Sequence, residues 1–129
     1  MKIDKTQLLF GIDNPELCYC TMWMYTSHHS ELAIRVMSTP KDTTDTKKFY
    51  WIFTGVIYHE GPSKWQGADF YIANSERDSL LKRIVNPAVG NVDKLIESDF
   101  YHLFKFIDKI SGLEVRIIAS GVIRVEKLP

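Results

Sequence analysis

Several groups of residues in this chain have types that could do chemistry. The first is the segment His59-Glu60-Gly61-Pro62-Ser63-Lys64-Trp65-Gln66-Gly67-Ala68-Asp69, which gathers an imidazole, two carboxylates, an amine and a large ring. An imidazole or a carboxylate within hydrogen-bond reach of a bound molecule is the ordinary means of acid–base catalysis. His59, Glu60 and Asp69 are therefore acid–base candidates, and Lys64 and Trp65 complete a candidate ligand-binding set. The plainer alternative is a turn region marked by Gly61-Pro62, with Trp65 closing the end of a sheet.

The histidines and cysteines could do other work. His28-His29, His59, Glu60 and His102 are ligand types for a divalent metal. A metal needs several donors converging at roughly 2.0–2.3 Å. Adjacent histidines in a polar loop seldom face one ion, and the other groups are distant in sequence. Neither a metal nor a cofactor is expected. Cys18 and Cys20 stand at i and i+2, which on a strand is a poor geometry for bridging each other. A nucleophilic thiol needs a neighbouring cation or a helix N-terminus, and neither is evident. They read as inert, reduced core thiols in a cytoplasmic protein.

The aromatic residues are plentiful. Tyr19, Trp23, Tyr25, Tyr50, Tyr58, Tyr71 and Tyr101 alternate with core-type residues in the segments that carry them. Exposed together, such rings stack on single-stranded bases or seal against another protein. Trp23, Tyr25, Tyr50, Tyr58 and Tyr71 form the candidate interaction surface. The motifs of established chemistries are absent: no P-loop, no GxGxxG turn, no GxSxG elbow, no HExxH helix and no CxxC pair.

Composition sets outer limits. A chain of 129 residues fits one domain, 1–129, with a sizeable core. Hydrophobic residues at 45% and charged residues at 25% place it among ordinary globular chains. Sixteen basic and sixteen acidic residues cancel, so a general affinity for nucleic acid or for anionic membrane is not favoured. No stretch is long and apolar enough to span a bilayer, and the first residues make a poor signal peptide.

The elements that must position these groups follow from periodicity. The densest aromatic and β-branched run is 48–58, whose two alternating faces are both largely apolar. It is expected to be an interior strand covered on both sides. Strands are expected at 17–25, 31–38 and 68–73, and a long one at 113–127 bends at Gly121. The segment 100–107 is open: its aromatic density favours a strand, while Phe100, Leu103, Phe104 and Ile107 fit a helix capped by Ser98. Helical periodicity gives one main helix, capped by Asn74 or Ser75, with Leu80, Leu81, Ile84 and Val85 as its apolar stripe. A shorter helical turn is expected at 92–96. The apolar knot Leu8-Leu9-Phe10 and the polar loop 39–47 complete the chain.

The fold class is α+β: a mostly antiparallel, strongly twisted sheet, curling toward a partial barrel, with one main helix packed on it. One helix covers only part of such a sheet. A self-associating binding module, in the simplest case a homodimer joined by an aromatic sheet face, is the leading functional reading. A single-stranded nucleic-acid binder using Arg35, Lys47, Lys48, Lys64, Arg116 and Arg124 is the alternative. A small enzyme or ligand carrier with its pocket beside 59–69 is the third. The ligand of that pocket is not legible in the residues.

Overall fold

Large rings and branched side chains pack well on a pleated surface, and β3 (Lys47–Thr54) is where this chain concentrates them. The computed structural model describes residues 15–38, 46–85, 90–108 and 111–128. The knot at 8–10, most of the 39–47 loop and Asn86-Pro87 lie outside the described residues. On β3, Phe49, Trp51 and Phe53 share one face and are fully buried. The Trp51 and Phe53 rings interlock with Phe70 and Phe104, edge-on or tilted, at centroid separations of 5.2–6.3 Å, and Phe49 lies edge-on to Trp51 at 6.1 Å. Truncating any one of them to Ala costs about 3–5 kcal/mol.

β3 is interior to a five-stranded sheet. The other strands of that sheet are β1 (Cys18–Thr26), β2 (Glu31–Ser38), β5 (Lys64–Gln66) and β9 (Gly121–Val125), in the order β5-β1-β2-β3-β9, so β3 pairs with β2 and β9. A four-stranded sheet holds β4 (Tyr58–Glu60), β6 (Tyr71–Ile72), β7 (His102–Ile107) and β8 (Glu114–Ala119), in the order β4-β8-β7-β6. Every pairing is antiparallel. The main core lies between the sheets, where Cys20, Ile34, Trp51 and Phe53 meet Phe104, Phe106, Val115 and Ile117. The sheets do not close into a barrel.

The sheets are joined by bent strands. The 48–58 run does not stay in one sheet: β3 stops at Thr54, and the chain turns at Gly55 into β4 of the other sheet. The strand expected at 113–127 breaks beside it, at Ser120 between β8 and β9, one residue before the expected Gly121. The two bends are locked together, since Ser120 N and Oγ each donate to Thr54 O at 2.9 Å. Gly55 has φ +59°, and a Cβ there would lie 2.5 Å from Ser120 Oγ. Only glycine takes that conformation at that approach without strain. Strands that switch sheets at bends are the usual corners between two sheets packed face to face.

The second core lies between the four-stranded sheet and two helices. Helix α1 (Asn74–Ile84) lays Leu80 and Leu81 on Leu103 and Ile118, with Ile84 and Val85 beside them. Helix α2 (Val92–Glu97) adds Val92, Leu95 and Ile96. The apolar stripe is as expected, but the cap is not. No side chain caps α1. Asn74 Oδ1 instead accepts from Leu103 N at 3.1 Å, so its amide ties the helix start to β7. The expected strand at 68–73 shrinks to two residues, while β5 forms within the segment that reads as a turn.

Both helices therefore sit against the four-stranded sheet. The expectation that β3 is covered on both sides is corrected: one face is under the second sheet, and no described helix lies over the other. Tyr50, on that other face, is buried by its own neighbours.

Candidate interaction surface

The outer face of the five-stranded sheet is built row by row from the register. Lys64, Thr21, Arg35, Tyr50 and Val125 lie across the strands in one row. Met24, Ala33, Ile52 and Ile123 form the next. Thr26 and Glu31 begin a third. The pairing of β1 with β2 skips from Met22–Ile34 to Met24–Ala33, so Trp23 is the extra residue of a bulge. A bulge re-aims the side chain it carries. Here it lays Trp23 over the first row, with the Arg35 guanidinium 4.0 Å from the ring centroid and the Tyr50 ring at 6.5 Å. A cation over an indole is worth about 0.5–2 kcal/mol, depending on how dry it is.

Beside Trp23 the face opens into a groove of about 350 Å³, lined by Met24, Ala33, Ile52, Ile123, Val125 and Leu128. Glu31 and His29 stand at its rim. Trp23 is 45% exposed, Met24 50%, Ile123 55% and Tyr19 59%. Four large apolar side chains half in water on one sheet face are more than scattered surface residues, and contiguous patches of this kind mark binding surfaces. The charges on the face are sparse. Glu31, Arg35, Lys48 and Lys64 take part in no ion pair among the described residues. Arg35 Nε is buried without a hydrogen-bond partner among them.

Of the aromatic set read from the sequence, Trp23 and Tyr50 meet on this face. Tyr25 follows the bulge, pairs with Leu32 and points the other way, its ring 5.4 Å from His59 at the mouth between the sheets. Tyr58 and Tyr71 belong to the four-stranded sheet and pack against the helix-covered core. The structure does not bring these three to the Trp23 face. The groove residues Met24, Ile52, Ile123 and Val125 were missed. Their alternation is visible in each strand, but only the strand order places them side by side.

The set at 59–69 is dispersed. Glu60 accepts from Arg116 at 2.5 Å and from the Tyr58 hydroxyl at 2.7 Å, on the helix side of its sheet. The Arg116 hydrogen bond, and then that of Tyr58, hold its carboxyl below the usual range. His59, on the opposite face of β4, meets Tyr25. Lys64 is on the open face of β5, and Trp65 is buried between the sheets, its Nε1 donating to Gly67 O at 3.0 Å. Asp69 borders a separate cleft of about 360 Å³ with Glu16 and Asp108. Acid, base, amine and ring do not converge on one volume.

The cysteines are core residues. Both are fully buried in the inter-sheet core, and Cys20 Sγ donates to Gly67 O at 3.4 Å. Burial pushes both thiols up, Cys20 far above the ordinary range. Among the described residues no three His, Cys, Asp or Glu side chains converge as a metal site would need. No described helix is long and apolar enough to cross a membrane. No family model matches this chain, and neither a curated protein nor a solved structure does.

Proposed function

We propose that this protein is a small binding module whose working surface is the outer face of the five-stranded sheet, and that its partner there is a second copy of the chain. The observation that carries the reading is the placement of cover. Both helices pack on the four-stranded sheet, while Tyr19, Trp23, Met24 and Ile123 stand half-exposed on the other. Two copies of a chain with no net charge meet without overall repulsion. Stable contacts between proteins bury about 800 Å² on each side and are centred on aromatic and aliphatic anchors. Trp23 and Arg35 are of the types that dominate such contacts, and Tyr50 packs beneath Trp23 as its support.

Sedimentation velocity over a hundredfold range of concentration tests this. A mass that rises to twice that of the chain, and an Ile123→Glu variant that stays monomeric, support it. A wild-type protein that is monomeric throughout removes it. If that monomer binds single-stranded oligonucleotides with a steep fall in affinity as salt rises, the same rings serve bases instead.

A further inference from the structure

We infer that the contact between two copies is reciprocal, with Trp23 of each copy seated in the apolar groove of the other. This rests on the self-association just proposed and specifies its geometry. A two-fold contact must be self-complementary: whatever one copy presents, its own surface must also receive. The open face has both halves of such a contact. The bulge lays Trp23 across the row Thr21, Arg35, Tyr50, where the ring rides above the strands and its half-exposed side is the knob. The hole lies over the adjoining row Met24, Ala33, Ile52, Ile123, and Ala33 on its floor is the smallest side chain of that row. The groove is apolar at its base and holds about 350 Å³, room for an indole.

The charges on the face agree with this pairing. Strands lie about 4.8 Å apart and successive residues advance about 3.4 Å, so the rows form a simple lattice. A two-fold axis lying in the face exchanges knob and hole when it is the perpendicular bisector of the line between them. On the lattice, that operation carries Glu31 across to within about one strand spacing of Lys64 in the other copy. Glu31 stands at the groove rim and Lys64 on the far edge strand, and neither has an ion-pair partner among the described residues. Two reciprocal ion pairs, Glu31 of each copy with Lys64 of the other, would flank two seated indoles. A partner lacking this chain's own Trp23 and Lys64 has no reason to match both features.

The test uses variants that spoil one half each. Trp23→Ala removes the knob and keeps the hole. Ile123→Glu puts a carboxylate in the hole and keeps the knob, and Met24→Glu does so from the opposite wall. Each variant alone loses both reciprocal contacts, and its association weakens by more than about tenfold. A one-to-one mixture of Trp23→Ala with Ile123→Glu retains one intact contact. Sedimentation or energy transfer between differently labelled copies then shows a mixed dimer at least about tenfold tighter than either variant with itself. Lys64→Glu weakens the dimer, and adding Glu31→Lys in the same chain restores it. A mixed dimer no tighter than the variants alone overturns the reciprocal seating. So does a Trp23→Ala protein that dimerises like wild type. Both leave self-association standing if wild type is dimeric, whereas a monomeric wild type removes both.

Discussion

Which face of this molecule stays open depends on the helices being fastened to the four-stranded sheet, and Arg77 is the fastening. It is fully buried on α1. Its Nη1 donates to Ser98 O at 3.1 Å and Tyr101 O at 2.7 Å, and its Nη2 to Ile96 O at 2.7 Å. Those carbonyls belong to the end of α2 and the chain leading into β7, so one guanidinium holds α1, α2 and the sheet in register. Nε also reaches Asp78 Oδ1 at 3.3 Å. Burial pushes the guanidinium's pKa down, opposed by Asp99, yet an arginine remains charged at neutral pH. A hydrogen bond from a charged donor contributes about 1.5–3 kcal/mol. Three to carbonyls set a non-additive ceiling of about 4.5–9 kcal/mol, and the relieved desolvation of the cation offsets part of it. Arg77→Met, which keeps the length and removes every donor, should therefore cost about 3–5 kcal/mol, a large share of a typical domain's stability. Urea unfolding followed by tryptophan fluorescence measures this, and the melting temperature should fall by about 10–20 °C. Arg77→Lys, with a single ammonium in place of the fork, should lose roughly half as much. A loss below about 1 kcal/mol for Arg77→Met would refute the claim that this residue holds the helices in place.

Other expectations follow from the corner at Gly55, the buried thiols and the Glu60–Arg116 pair. Gly55→Ala forces a Cβ into a left-handed conformation against Ser120 and should cost about 1–2 kcal/mol, with Ser120→Ala relieving part of that in the double variant. Equilibrium unfolding of the two single variants and the double checks it. The buried thiols Cys18 and Cys20 should resist iodoacetamide at pH 8 in the native protein and react only on unfolding, as mass spectrometry would show. Glu60 has a folded pKa below its unfolded one, so the stability it contributes is complete above the ordinary carboxylate value, near 4.5, and is lost as pH falls through the lower folded value. Glu60→Gln should flatten the acid side of the stability–pH curve and leave its neutral part nearly level.

Much of the fold was legible because alternation and helical periodicity are local. Phe49, Trp51 and Phe53 announce a buried strand face, and Leu80, Leu81, Ile84 and Val85 a helix stripe. At His102–Ile107 the residues leave strand and helix both open, because aromatic density favours the strand that forms while the spacing of Phe100, Leu103, Phe104 and Ile107 suits a helix. What alternation does not report is which sheet a strand belongs to. The run through Gly55 looks continuous but crosses from one sheet to the other, so Tyr58 leaves the face that Tyr50 shares with Trp23. Tyr71 is displaced for the same reason, since it lies on the far sheet. Arg77 carries no sequence signal at all. It looks like one more charged helix residue, and its role appears only when three distant carbonyls converge on it. Within the candidate surface, Trp23 and Tyr50 were readable as outward-facing rings, whereas the groove depends on β9 lying beside β3, a pairing of residues some seventy positions apart.

The open face of the five-stranded sheet is proposed to join two copies of this chain. Sedimentation equilibrium of wild type beside Ile123→Glu, at matched concentrations, tests it most directly. A reversible dimer is expected for the wild type and a folded monomer for the variant. A wild type that remains monomeric at every concentration, or a variant that dimerises equally well, would contradict it.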